Sequence, residues 1–347
     1  MVKFATREDV KNALDSAETA RDNAKVDAAL DAATDSIEGL CKRSFAPVQR
    51  TVTFDWPDPV QRPRSWRLWL NQYELLSLTT FVAGGVTIPN GNLKLYPTGG
   101  PPYNRIEIDL GSNSAFQTIN SYQQSQSVTG LFAGVPLVET AAGALVGAVN
   151  GTATTIQVTN SAAVGVGSLL RIDTERMIVT EKTMTAVSGQ TLTSAITDRA
   201  NVQAVPVTNG SAFFTGETIL IDAERMLIVD IAGNQLIVNR AWDGSALAQH
   251  ASNAPIYARR ALTVQRGAQG STAAAHADAA PIVAWQPPGL ISQLAVAEAL
   301  VTLQAKSAGY QVEVRADRAA RRLTPGIEDL REQVLGTFGR QSRTRAV

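Results

Sequence analysis

Cysteine and histidine are scarce in this chain of 347 residues. Its one cysteine, Cys41, cannot form a disulfide within the chain, so a disulfide framework is excluded. Cys41 adjoins an apolar helical stripe, and we expect it to be a small buried residue. The two histidines, His250 and His276, are too few for a zinc site, which needs three or four ligands. We expect no metal.

Net charge and long apolar runs are missing as well. Lysine plus arginine and aspartate plus glutamate number 31 each, so the formal net charge is zero. No apolar run approaches the roughly 20 residues that a membrane helix needs. The start, MVKFATREDVKN, turns polar at once, unlike a signal peptide. We therefore expect a protein made in the cytoplasm, with no membrane partner.

Sequence motifs of known enzymes are absent too. The chain contains no G-x-S-x-G, Walker loop, H-E-x-x-H or dinucleotide-binding fingerprint. We expect neither an enzyme nor a cofactor.

Two internal repeats are the most informative feature that is present. Residues 236–258 and 262–284 match 26 positions apart, and ID-x-ERM at 172–177 recurs 49 positions later at 221–226. Each copy alternates apolar and polar residues between Gly, Asn and Pro, which is typical of half-buried strands joined by turns. Repetition at a fixed period indicates a copied supersecondary unit. We predict an inserted, internally repeated all-β module over 150–285.

The polar residues of the repeats have two interpretations. Paired carboxylates in ID-x-ERM are compatible with acid/base catalysis. Duplicated ion pairs at β-turns are commoner, so we expect the acids and arginine to pair at exposed hairpin tips. His250 and His276 occupy equivalent positions, and we expect each to be a turn histidine that bonds a backbone carbonyl.

Helical periodicity marks both ends of the chain. Thr6 is the predicted N-cap of a short first helix. Three apolar stripes then predict helices over 25–43, over 290–309 and from Thr324 (N-cap) and Pro325 onward. The stripes consist of Val26, Leu30, Ala33, Ile37 and Leu40; of Leu290, Leu294, Ala297, Val301 and Ala305; and of Ile327, Leu330, Val334, Leu335 and Phe338. Because each helix alone is too narrow to form a core, we expect 1–46 and 286–347 to pack together, with 25–43 facing 290–309.

Short strands fill the region between the first helices and the repeats. Residues 47–149 predict a strand meander with a linker or extended arm. One apolar strand, Val128–Phe132, interrupts residues 111–150, and the rest of that range is the predicted linker or arm. The fold class is therefore α+β: a discontinuous helical bundle, a strand meander and an inserted β module. Trp56, Trp66 and Trp69 lie beside Arg62, Arg64 and Arg67. Such a cluster is either a stacking platform for nucleic acid or a packing or subunit contact, and the second is favoured because so few basic residues accompany it.

The C-terminal end is rich in arginine. Arg340, Arg343 and Arg345 have no acid near them, which suits either contact with DNA or an acidic partner, or a merely solvated tail. The last helix follows a polar tether that contains Arg315, Arg318, Arg321 and Arg322. We expect this helix to order against a partner, with permanent packing on its own subunit as the alternative.

The order of these elements resembles a known family. A short acidic helix, an amphipathic helix ending in GLCKRSF and then VQRTVTF resemble the head-to-tail connector (adaptor) proteins of tailed bacteriophages. The segment ELLSLTTFVAGGVTIPNGNLKLYPTGGPPYNRIEIDL looks like the strand meander of siphophage adaptors. The phrases GETILIDAERMLIV and LTVQRGAQGSTAAAHADAAPIV are similar to a β module of phage tail and connector proteins.

The resemblance implies a structural protein of the virion neck, assembled in the host cytoplasm. Roughly twelve copies, a dodecamer, would form a closed ring beneath the portal protein and above a tail terminator or stopper protein. DNA would pass through the lumen without sequence readout. Ring or portal contacts would involve Ile37, Leu40, Leu290, Leu294, Val301, Ile327, Leu330, Val334 and Phe338.

Two other classes remain open. One is a tail-tip or decoration protein whose β module binds a receptor or a capsid surface. The other, a secreted carbohydrate-active enzyme, is disfavoured because neither a signal peptide nor a catalytic acid pair is recognisable.

Overall fold

The computed structural model describes residues 1–14, 22–57, 65–201, 203–307 and 325–340. These residues form a mixed α/β structure with four α-helices and extensive antiparallel sheets. Two compact units result. The first contains Met1–Ile37, Glu139–Ala268 and Thr272–Thr337; the second contains Glu38–Val138, Gln269–Ser271 and the chain from Phe338 onward.

The helices are α1 (Arg7–Ala13), α2 (Asn23–Cys41), α3 (Gly289–Ser307) and α4 (Pro325–Phe338). The predicted cap of α1 is confirmed: the Thr6 hydroxyl accepts the N–H of Asp9, and the Asp9 carboxylate accepts the N–H of Thr6. This reciprocal capping satisfies two N–H groups that a helix start leaves without partners. α1 packs against α3, so the first and last parts of the chain meet.

The predicted stripe of α2 is buried along most of its length. Val26, Leu30, Ala33 and Ile37 are buried, whereas Leu40 is half-buried. Cys41 is buried as expected, and this burial raises the pKa of its thiol.

The helix ends where Lys42 adopts a left-handed conformation with φ of 50°. Such a residue is a common helix terminator.

The face of α3 differs from the predicted one. Its buried residues are Ile291, Leu294, Ala295, Glu298 and Ala299, whereas Leu290 is half-buried and Val301 is 37 % exposed. The helix is apolar nearly all round, so periodicity alone does not fix its inward face. Glu298 lies inside because its Oε1 accepts from Arg331 Nε of α4 at 2.7 Å. The main helical neighbour of α3 in the described chain is α1, not α2 as predicted.

α4 packs on its own chain, contrary to the expectation of an element that orders only against a partner. Val334 is fully buried, while Ile327, Leu330 and Phe338 are half-buried. The Arg331–Glu298 ion pair adds a polar tie to α3. The predicted N-cap Thr324 and the four tether arginines lie outside the described residues.

The second unit contains the strand meander as two sheets. Strands β1 (Val48–Phe54), β7 (Gln126–Phe132), β3 (Leu75–Ala83) and β4 (Val86–Ile88) form one sheet in that order. Strands β2 (Arg67–Trp69), β6 (Arg105–Ile108) and β5 (Leu93–Tyr96) form the other. Large buried side chains from both sheets share one core, which includes Leu68, Leu75, Phe81, Ile106 and Phe132.

The first unit contains a ten-stranded sheet. Its strands are β8 (Glu139–Ala144), β9 (Thr155–Gln157), β10 (Leu169–Ile172), β11 (Glu175–Thr191), β12 (Ala204–Pro206), β13 (Thr218–Ile221), β14 (Glu224–Ala232), β15 (Gln235–Asn239), β16 (Pro255–Gln265) and β17 (Pro281–Trp285). The order is β12-β15-β14-β13-β16-β11-β10-β17-β8, and β9 also pairs with β16.

Strand β8 lies in the predicted linker, so that part of the linker prediction is wrong. Ala141 of β8 pairs with Val283 of β17. The segment ETAAGA carries no apolar alternation, so its sequence gives no strand signal. Backbone pairing with the neighbouring strand decides its conformation instead.

Strands at matching repeat positions pair in matching registers. Ile172 faces Glu175 across one hairpin, and Ile221 faces Glu224 across the other. A register shift follows Val179 in the first set of strands and Ile228 in the second. Two separate apolar cores lie under the two sets, one around Leu170 and Leu262 and one around Ile219 and Leu236.

Candidate functional site: two buried Arg–Glu–His clusters

Each ID-x-ERM segment forms a tight β-hairpin. The β10–β11 hairpin turns through Asp173, with φ of 52°, and the β13–β14 hairpin turns through Asp222, with φ of 51°. Positive φ at a two-residue hairpin turn matches the twist of the strands, and Asp tolerates it better than most residues. The turn places one carboxylate at the tip and the next, from Glu175 or Glu224, at the start of the returning strand.

Glu224 is the centre of the cluster on the second hairpin. Its side chain is fully buried and accepts from both Nε and Nη2 of Arg240 at 2.7 Å. The Nε2 of His250 lies 2.9 Å from Glu224 Oε2. The backbone N–H groups of Ala241 and Ala248 donate to the same carboxylate at 2.9 and 3.0 Å. A bidentate guanidinium with further donors is a strong arrangement for a buried carboxylate.

Glu175 is the centre of an equivalent cluster on the first hairpin. It is fully buried and accepts from Nε and Nη2 of Arg266 at 2.7 and 2.8 Å. The Nε2 of His276 lies 2.9 Å from Glu175 Oε2. The N–H groups of Gly267 and Ala274 each donate at 2.9 Å. Every partner is the repeat counterpart of one in the Glu224 cluster.

The second ring nitrogen of each histidine contacts the aspartate at the hairpin tip. His250 Nδ1 lies 2.6 Å from Asp222 Oδ2, and His276 Nδ1 lies 2.8 Å from Asp173 Oδ2. The expectation that these histidines bond backbone carbonyls is therefore wrong. Each imidazole therefore bridges two carboxylates, one at the hairpin tip and one buried.

The ion pairs were expected at exposed tips, but only the aspartates are exposed. Burial raises the pKa of Glu175 and Glu224, but the hydrogen bonds from arginine, histidine and two backbone N–H groups outweigh it and lower both pKa values to about 2. Each glutamate is thus ionised and surrounded by donors at neutral pH. A group held in this state is unsuited to general acid/base work, which needs a pKa near the working pH. The arrangement ties a hairpin to the loop that carries the histidine.

A third buried ion pair lies between the two sets of strands. Arg260 of β16 donates from Nη2 to Glu217 Oε2 at 2.6 Å and from Nε to Glu217 Oε1 at 2.9 Å. Glu217 Oε1 also accepts the backbone N–H and the hydroxyl of Ser161 at 2.9 Å. Sequence reasoning missed this pair because Ser168 replaces Glu217 in the other repeat copy, so no repetition marks it.

The candidate interface residues are scattered over the helices. Ile37, Leu294 and Val334 are fully buried within the chain, so they pack inside it and present no surface to another subunit. Leu40, Leu290, Ile327, Leu330 and Phe338 are half-buried. Val301 is the exposed member of the set.

The predicted DNA contacts are only partly described. The backbone N–H of Arg340 donates to the carbonyl of Cys41, and its Nη2 donates to the carbonyl of Asn71. This arginine is therefore engaged within the chain, while Arg343 and Arg345 lie outside the described residues.

The tryptophan cluster of the meander packs against the core. Trp56 and Trp66 lie against it, and the indole N–H of Trp56 donates to the carbonyl of Phe116 at 2.9 Å. Arg67 pairs with Glu107, while Arg62 and Arg64 lie outside the described residues.

Three further findings bear on function. Among the described residues, no group of three or more His, Cys, Asp and Glu side chains is arranged to hold a metal ion. No helix in the described ranges is long and apolar enough to cross a bilayer. Neither family models nor curated proteins nor solved structures match this chain.

Proposed function

We propose that this chain is a head-to-tail connector (adaptor) of a tailed-phage virion. Copies of it form a ring beneath the portal protein, join the DNA-filled head to the tail and let DNA pass through the lumen. The observation that carries the proposal is the contact between α1 and α3, from opposite ends of the chain, within one unit that also holds the ten-stranded sheet. This is the layout that the resemblance to adaptors implies: a discontinuous helical base with a β module inserted into it.

The β module is, on this proposal, an internal duplication in which one copy interrupts the other. The first copy comprises strands β8–β10, the start of β11, the end of β16 and β17. The second comprises β12–β15 and the start of β16. Support comes from the paired Glu175 and Glu224 clusters, from the shared hairpin registers and from the two separate cores.

The chemistry of the module suits a mechanical role. Its buried carboxylates are fully engaged in hydrogen bonds, so they fix loops to strands. The zero net charge suits a conduit, because strongly basic patches would hold DNA rather than let it slide. The partners are further copies of the chain, the portal protein above and a tail terminator or stopper protein below, with no cofactor.

The first test is the oligomeric state of the purified protein, alone and mixed with the portal protein of the same phage. Mass photometry should show a closed ring of roughly twelve copies, at least when the portal is present. Val301→Asp on α3 should weaken the ring or its attachment. Val229→Asp, at a similarly exposed valine (40 %) on the sheet, is the matched control and should leave the ring intact.

The second test is the position of the protein in a particle map. Density for the chain at the neck supports the proposal. Density at the tail tip or on the capsid surface would instead establish the alternative, a tail-tip or decoration protein whose β module binds a receptor or the capsid. The connector role would be refuted if the protein stayed monomeric both alone and with the portal protein, and if the map showed no density for it at the neck.

A further inference from the structure

A cavity of about 420 Å³ opens in the second unit beside the aromatic cluster of the meander. Trp56, Trp69 and Tyr73 line it. The volume lies within the usual range of small-ligand sites. The connector role makes no use of this cavity.

The aromatic rings are held in place before any ligand arrives. The Trp56 indole is oriented by its bond to the Phe116 carbonyl. The guanidinium of Arg105 stacks 4.8 Å from the ring centre of Trp69, and that of Arg50 stacks 4.7 Å from the ring centre of Tyr73. Neither arginine lines the cavity. The result is a fixed apolar wall, which a ligand does not have to order.

Planar polar side chains complete the lining: Asp55, Asn71, Gln72 and Gln124. Asp55 Oδ1 accepts the backbone N–H of Gln124 at 2.9 Å. Within the described chain, Asp55 Oδ2 and the three side-chain amides make no hydrogen bond to protein. They present both donors and acceptors to the cavity.

Two of these amides stand on strained backbone. Asn71 has φ of 54° and Gln124 has φ of 51°. The left-handed region is costly for a residue with a side chain, and glycine would adopt it freely. Strain of this kind concentrates at ligand sites. Asn visits this region more readily than most residues, so the position of Gln124 is the costlier of the two.

We propose that this cavity binds a neutral saccharide of about one or two hexose units. The apolar face of a pyranose ring packs on an aromatic ring, and its hydroxyl groups match the donors and acceptors of amides and carboxylates. The described residues that line the cavity include one carboxylate and no lysine or arginine, so a phosphate backbone is electrostatically disfavoured. An apolar peptide would leave the polar groups without partners, which costs free energy.

The experiment titrates the full-length protein with maltose, cellobiose, lactose and chitobiose, followed by saturation-transfer NMR and tryptophan fluorescence. At least one of them should bind saturably with a millimolar dissociation constant. The variant N71G/Q124G removes two amides at positions where glycine suits the backbone, so it should stay folded and bind at least tenfold more weakly. Gln269→Gly, another glutamine at positive φ (53°) that lies outside the lining, is the matched control and should bind as the unaltered protein does.

Three results would overturn the proposal. One is the absence of saturable binding for all four sugars by the folded protein. The second is binding that N71G/Q124G leaves unchanged. The third is binding that oligo(dT) abolishes by competition, which would assign the cavity to single-stranded nucleic acid. Ring formation by N71G/Q124G should be normal, so failure here is distinguishable from failure of the connector role.

Discussion

Replacing Glu224 by glutamine removes the charge of one buried cluster while keeping its shape. The donors of Arg240 and His250 and the N–H groups of Ala241 and Ala248 then face an amide with one acceptor oxygen and an NH₂ group. The native pKa of Glu224 falls from 4.5 to about 2, and this difference corresponds to about 3 kcal/mol. Breaking a buried ion pair by removing one partner typically costs about 3–5 kcal/mol. We expect Glu224→Gln to lower the free energy of unfolding by about 3–5 kcal/mol.

Denaturant unfolding at pH 7, followed by circular dichroism, measures this loss. Glu175→Gln in the equivalent cluster should cost a similar amount, because its partners correspond one to one. Asp198→Asn, at an exposed aspartate, is the control and should change stability by less than about 0.5 kcal/mol. A loss below about 1 kcal/mol in both glutamine variants would refute the view that these clusters hold the sheet together.

Three more predictions concern acid, the helical face and the last helix. The depressed pKa values of Glu175 and Glu224 contribute stability that is fully present above pH 4.5 and disappears as the pH falls toward 2. The free energy of unfolding should therefore drop steeply in that window, and E175Q/E224Q should flatten the drop. Leu294→Asp should unfold the helical part, because the side chain of Leu294 is fully buried. Val301→Asp should leave the melting temperature nearly unchanged, because Val301 is exposed. Equal effects of the two variants would contradict the observed buried face of α3. Deleting residues 323–347 should lower the melting temperature by several degrees, because Val334 is buried and Arg331 pairs with Glu298. An unchanged melting temperature would instead support the interpretation that the last helix orders only against a partner.

Elements with strong local signals were predictable from sequence. The Thr6 cap is set by a hydroxyl and an acid three residues apart, and the inward face of α2 by apolar residues at helical spacing. α3 lacked such contrast, since nearly every side of it is apolar or small. Strand β8 lacked any alternation. Pairing and tertiary contacts decide both cases, and neither can be read from a local window.

The clusters show a different reason for failure. The sequence displays two repeats, 26 and 49 positions apart, which look like separate features. Each cluster takes its acids from one repeat and its arginine and histidine from the other, as Glu224 does with Arg240 and His250. The available signal was that both copies retain these polar residues among otherwise apolar strands. Buried polar residues need hydrogen-bonding partners. Acids retained in one repeat, and an arginine and a histidine retained in the other, therefore indicate that the two sets contact each other.

The nested duplication that we propose makes a specific prediction about the second copy. β11 leaves the first copy and β16 returns to it as an antiparallel neighbour, with Thr185 opposite Ala258. Residues 186–257 can therefore be replaced by a two-residue Asn-Gly turn, which suits antiparallel strands. Because this removes Glu217, Arg260→Met is included to avoid a buried unpaired charge. The shortened chain should fold and keep the Glu175 cluster, so Glu175→Gln in it should still cost about 3–5 kcal/mol. Aggregation of the shortened chain, or indifference to Glu175→Gln, would show that the two copies fold only as one unit.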